Sequence, residues 1–220
     1  MIVLSDNDVI LKLAQCNLLS QLPVVFNQPP EQIFINPAAR FQLLPKNPDK
    51  AIRKCGSQVV YEQVGAFIES VQDIPEVQDS QLIELLGSVP GIDVGEQLLL
   101  ASCIENPEAI FMTGDRRCLN AIVANQPALA VVHQRLLDAV VTFESSLLLC
   151  VHGTDRAQVY ENLVSNPKPD GMLKLALSNA GAAMCECIFS HTREFYDYLA
   201  FKDRLPDRGW GCLLYTSDAA

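Results

Sequence analysis

Two short apolar runs, "IVL" at residues 2–4 and "AIFM" at residues 109–112, each stop at an acidic turn, "SDND" after the first and "TGD" after the second. Both runs read as buried strands, and helical patterns follow each of them. After the first, "DVILKLAQCNLLSQL" places Val9, Ile10, Leu13, Ala14, Leu18 and Leu22 close to helical period, and Pro23 closes it. "IFI" at Ile33–Ile35 is a second short strand fenced by prolines, and "AARFQLL" is a helical stretch ending before Pro45. Residues 46–57, with Pro48, Lys50, Arg53 and Lys54, are polar and basic and read as a loop or the frayed start of a helix. "SQVVYEQVGAFIESV" is a helix with Ser57 as its N-cap, and "DSQLIELLGSVPGID" is a short helix followed by Gly and Pro punctuation. "DVGEQLLLASCIENPEAIFMTGDRRCLNAIVA" then reads helix, turn, strand, loop, helix, and "AVVTF" at Ala139–Phe143 is a final strand. The alternation predicts an α/β fold with a central parallel sheet and right-handed crossovers.

From about Gly153 the pattern is helical. Thr154 and Asp155 can cap a short helix, and residues 170–201 read as one long helix or two broken ones. Residues 212–220, "CLLYTSDAA", read as a non-native, adapter-derived tail and are set aside. The expected organisation is therefore a domain over residues 1–150, a helical extension over 151–211 and that tail.

At 220 residues, 49% of them hydrophobic, the chain can bury a sizeable core, which argues against disorder. No apolar run reaches the length of a membrane span and no basic n-region opens the chain, so a cytoplasmic protein without membrane partners is expected. Eight scattered cysteines read as reduced, buried thiols. Cys185, Cys187 and His191 lack the paired spacing of a zinc site and read as residues of a packed helix. The net charge of −10 argues against a protein that coats nucleic acid. It does not exclude a metal-using nuclease, and it leaves room for a basic protein partner. A homodimer stays open.

In a parallel sheet, strands one and four can neighbour each other at the topological switch point, where open α/β folds bind ligands. Asp6 and Asp115 stand at two such strand ends, and Glu96 lies at the start of the helix that leads into the second strand. Three carboxylates brought together repel unless a cation bridges them or their pKa values rise. Oxygen ligands without Cys or His suit Mg²⁺ or Mn²⁺. Each acid also has a plainer explanation taken alone: Asp6, Asp8 and Asp115 as helix N-caps, Glu96 as a first-turn acid.

"IVLSDNDVILKLA" together with "GEQLLLASCIENPEAIFMTGDRRCL" resembles the opening and later motifs of PIN-domain nucleases, in the family's order and over residues 1–150. The resemblance implies a three-layer α/β/α domain that cuts RNA with a metal-activated water. It implies Asp6, Glu96 and Asp115 as metal ligands, with Asp8 and Thr113 shaping the pocket. Arg116 and its neighbour Arg117 would hold a flanking phosphate. Some members are toxins of toxin–antitoxin pairs, which would supply a basic, antitoxin-like partner. At the helix where the family usually has its second acid this chain has Arg40 and Gln42, and Glu62 on the next helix is the substitute to look for.

Two rivals stand beside this reading. "DNDVIL" and "TGDRRCLN" also resemble the motifs of haloacid dehalogenase-like phosphatases, in which Asp6 would be nucleophile and Asp8 acid and base, though the later acid and a convincing Lys are lacking. The other rival is a PIN-like binding module that has lost its chemistry. The missing second acid favours it.

Overall fold

The computed structural model describes residues 2–179 and 182–205. Five strands form one parallel sheet: β1 (Ile2–Ser5), β2 (Ile33–Ile35), β3 (Gln72–Asp73), β4 (Ala109–Thr113) and β5 (Val140–Thr142), in the order β3-β2-β1-β4-β5. The chain steps outward from β1 through β2 to β3, then returns to the other side of β1 for β4 and β5. That reversal puts the switch point between β1 and β4.

The first half holds α1 (Asn7–Gln15), α2 (Leu22–Phe26), α3 (Ala39–Leu43), α4 (Pro48–Cys55), α5 (Gln58–Ser70) and α6 (Ser80–Gly87). Then come α7 (Val94–Glu105), α8 (Arg116–Ala124), α9 (Ala130–Leu136) and α10 (Phe143–Gly153). The last described residues hold α11 (Arg156–Val164), α12 (Gly171–Leu177) and α13 (Ala182–Ser190).

Strand side chains alternate between faces, and here the alternation divides two cores. Ile110 and Met112 join Ile33, Ile35 and Val141 in one cluster with α1, α2, α5, α10 and α13. Ala109 and Phe111 join Val140 in the other, with α6, α7, α8 and α9. Each face of the sheet therefore rests on its own apolar body. Residues beyond 150 feed both: Ile188 packs into the first cluster, Phe195 and Tyr198 into the second. Past α13 the backbone runs alongside β5, with Ala139 N–H donating to Tyr198 O at 3.0 Å and Ala200 N–H to Val140 O at 2.8 Å.

The α/β class and the parallel sheet are as expected, and several details differ. Residues 48–55 form a full helix, α4: the Asn47 side chain accepts from Lys50 N–H at 3.1 Å, Pro48 sits at its first position and Gly56 closes it at φ 98°. Its only buried residues are Ala51 and Cys55, so the apolar period is too sparse to show. β3 was not expected either, because both of its residues are polar and exposed. Phe143 begins α10 rather than ending β5, since Thr142 and Ser145 form a reciprocal cap there. Asp155 caps α11, whereas Thr154 closes α10. The 170–201 stretch is broken into α12, α13 and a 3₁₀ segment, Arg193–Tyr198. Cys16, Cys55, Cys103, Cys118, Cys150, Cys185 and Cys187 are free thiols, all but Cys187 buried; Cys212 and the tail lie outside the described residues. Among the described residues no single helix is long and apolar enough to cross a membrane.

Arg135 ties the second face together. Its guanidinium donates to Cys103 O at 3.0 Å, Asn106 O at 2.9 Å and Ala109 O at 2.6 Å, where α7 turns into β4. Arg135→Met keeps the aliphatic stem and strands these acceptors. A loss of about 2–4 kcal/mol is expected, because unpaired buried acceptors are costly. Urea unfolding at unchanged m-value checks it.

Candidate functional site

The strand pairing brings the two acidic turns together. Ser5 stands opposite Met112, and the next amide, Asp6 N–H, donates to Met112 O at 2.9 Å. Asp6 therefore leaves β1 directly beside the end of β4 and turns, at φ −74° and ψ 150°, into α1. On β4, Thr113 is buried and its hydroxyl accepts from Asp115 N–H at 3.0 Å, which holds the Gly114–Asp115 turn. Gly114 leaves room for Asp8: a Cβ there would lie 2.7 Å from Asp8 Oδ2.

The third acid arrives from α7. Asp93 caps this helix and Glu96 answers it, with Glu96 N–H donating to Asp93 Oδ1 at 2.9 Å and Asp93 N–H to Glu96 Oε2 at 2.8 Å. Glu96 is only 3% exposed. Asp6, Asp8, Asp93, Glu96, Gly114 and Asp115 line a cleft of about 440 Å³ together with Asn7, Gln42, Lys54 and Arg117. Asn7 Nδ2 donates to Gln42 Oε1 at 2.5 Å, so α3 is linked to the first turn of α1.

The acids differ in what balances them. Asp6 occupies the N-cap position of α1 without a side-chain capping bond, and burial, helped by the charges of Asp8 and Asp93 and opposed by the Asn7 and Asp8 amides, pushes its pKa up to about 6. Glu96 is pushed up to about 7, by burial first and then by Asp93, Asp115 and Asp6, although the Asp93 amide opposes the rise. The buried Cys118 thiol packs against this group and is driven far above its ordinary value by burial and the nearby carboxylates. Asp115 moves the other way: the Arg117 guanidinium bonds both of its oxygens and holds the carboxyl below the usual range. Asp8 pairs with Lys12 at 2.8 Å.

The structure gathers Asp6, Asp8, Glu96 and Asp115 at one cleft and sets Thr113 beneath the turn. It does not place Arg116 or Glu62 there. Arg116 points to the C-terminal segment, where it donates to His191 O, pairs with Glu194 and lies over the Phe195 ring, because consecutive helix positions diverge and Arg117 takes the cleft side. Glu62 is exposed on α5 and accepts from Gln58 Nε2 at 2.7 Å. At the position sought for a second acid, Gln42 lines the cleft and Arg40 is turned away to Asp73 and Ile68 O. Sequence reasoning missed Asp93, Asn7 and Lys54. Asp93 was readable as the partner of Glu96 in a D-x-x-E capping box.

Among the described residues no group of three or more His, Cys, Asp or Glu stands ready to ligate a metal ion. Asp93 and Glu96 are turned to each other's amides, and Asp115 is turned to Arg117. The donor chemistry still suits Mg²⁺ or Mn²⁺, being all oxygen and carrying buried negative charge that Lys54 and Arg117 only partly offset. The chain matches no family model, no curated protein and no solved structure in the comparisons made with each.

Raised pKa values make stability depend on pH in a defined direction. Between the ordinary carboxylate range and about pH 7 the folded chain holds protons at Asp6 and Glu96 that the unfolded chain releases, so stability falls as pH rises through that window. Asp115 acts oppositely, at more acid pH. In EDTA the melting temperature is expected to be higher at about pH 5 than at about pH 8. Asp6→Asn should flatten the difference and stabilise the protein by about 1–2 kcal/mol at the higher pH, where removing a mere helix cap would destabilise it.

Proposed function

We propose that the chain is a PIN-type, metal-dependent ribonuclease that hydrolyses RNA phosphodiester bonds in the cleft between the ends of β1 and β4. The observation that carries this reading is the set of carboxylates converging at the switch point, two of them held near neutrality by burial and by one another. A three-layer α/β/α body agrees with the separate core on each face of the sheet.

Asp6, Glu96 and Asp115 are the residues that would hold Mg²⁺ or Mn²⁺, with Asp93 beside them. A bound divalent cation supplies a water of lowered pKa and positive charge for the scissile phosphate. The chain's own residues prepare the site. Thr113 fixes the turn that presents Asp115, and the Asp93 amide orients Glu96. Arg117, 81% exposed, can leave Asp115 and meet a phosphate oxygen instead, a role that Arg116 cannot share from its place on Glu194. Lys54 adds a second cation to the cleft lining.

A second reading, a binding module for a basic partner such as an antitoxin-like protein, is favoured by one observation. Arg117 already occupies Asp115 in the way a partner's guanidinium would.

Purified protein should cut RNA in Mn²⁺ or Mg²⁺ and stop in EDTA. Asp6→Asn is expected to lower the rate by about a hundredfold or more, the loss that several kcal/mol of charge stabilisation implies. Glu62→Gln should cut like the parent. An Asp6→Asn protein as active as the parent would overturn the assignment. Absence of any metal-dependent rise in melting temperature would favour the binding module.

A further inference from the structure

The cleft chemistry uses only one end, Lys54, of a larger charged feature. Five of the chain's sixteen Lys and Arg fall between Arg40 and Lys54, where Asp49 is the single acid, in a protein of net charge −10. On α4, Lys50, Arg53 and Lys54 are spaced i, i+3 and i+4 and therefore share a face, all exposed, while Ala51 and Cys55 turn to the core. Among the described residues these three cations make no ion pair within 4.0 Å, although Arg40, Arg116, Arg117 and Lys202 each have one.

The patch is built onto the cleft. Lys54 lines the cleft and its Nζ donates to Gln42 O at 2.7 Å, which joins the end of α4 to α3. Lys168 Nζ donates to Arg53 O at 3.0 Å and adds another exposed cation. Next to Gln42, Phe41 is 71% exposed. Cations along one helix face, with a bare aromatic ring on the helix joined to it, supply what a single strand needs, phosphates on the charges and an unpaired base on the ring. The overall negative charge does not oppose this, because physiological salt screens charges beyond about 8 Å and the local cations decide.

We propose that α3 and α4 form a track for single-stranded RNA leading into the cleft, with Lys50, Arg53 and Lys54 on phosphates and Phe41 stacked on an unpaired base. This rests on the ribonuclease reading for what happens where the track ends. The track also overcomes the repulsion between the acidic cleft and a polyanion, since Lys54 stands at the boundary.

The test is fluorescence-anisotropy titration of a labelled oligouridylate in EDTA, where no metal-dependent cleavage intervenes, across a series of salt concentrations. K50A/R53A should bind more weakly and lower the salt slope by about 1.4, about 0.7 for each lost single-strand phosphate contact. Phe41→Ala should weaken binding about tenfold at unchanged slope. Arg193→Glu, an exposed charge off the track, should bind like the parent, and a duplex should compete poorly. Parent-like binding by K50A/R53A, or no binding by the parent, overturns the track; parent-like binding by Phe41→Ala overturns the stacking role. Circular dichroism melts confirm that the variants fold. Hydrolysis of bis(p-nitrophenyl) phosphate with Mn²⁺ keeps the two readings apart. Cleavage with binding indifferent to α4 removes the track alone, and α4-dependent binding without hydrolysis of any phosphodiester removes the ribonuclease alone.

Discussion

The parallel pairing of β1 with β4 is the contact on which the remainder of the structure depends. Its register carries one step past the strand, through the amide of Asp6 to Met112 O, so the place where β1 ends is set against the place where β4 ends. Connections leave the two strands in opposite directions across the sheet, the arrangement that opens a crevice at a switch point. Acidic turns on both strands then become neighbours although more than a hundred residues separate them. Had β4 paired elsewhere, Asp6 and Asp115 would be two unrelated helix caps.

Convergence of this kind works against stability, and the chain offsets it unevenly. Asp115 has a guanidinium, Asp8 has Lys12, and Glu96 has the amide of Asp93. Asp6 has only nearby amides and sits among like charges. One carboxyl is thus held below its usual range while two are pushed towards neutrality within a single cleft. Environments that drive neighbouring acids apart in this way are a common feature of functional sites and also arise in structural ion-pair networks. The apolar bodies on the two faces of the sheet are what allow the chain to carry that penalty.

Most of the sheet was legible because four of its strands are apolar runs bounded by turn residues. β3 was not, since its pairing with β2 is made by the backbone of two exposed polar residues. α4 was hidden for the opposite reason: a helix that buries only Ala51 and Cys55 shows charge rather than period. In the site, Asp6, Glu96 and Asp115 were legible from their places at element ends. Asp93 was overlooked because a capping residue looks structural, and here it both caps and contributes charge. Glu62 illustrates the limit of spacing arguments, because the rotation of α5 that turns it to solvent is set by Val60, Val64 and Phe67 seeking the core.

Arg116 and Arg117 show how distant chain decides a local question. Adjacent in sequence and alike in chemistry, they point about 100° apart on α8, and nothing nearby says which one meets the cleft. The choice is made by the segment after α13, which offers His191 O, Glu194 and the Phe195 ring to Arg116. That segment also lies along β5 through Tyr198 and Ala200, so the first turn of α8 is tied to the sheet edge through the C-terminal part of the chain. Asp115 caps this same turn. The first turn of α8, which Asp115 caps, therefore rests partly on packing by Glu194 and Phe195 from the C-terminal part of the chain.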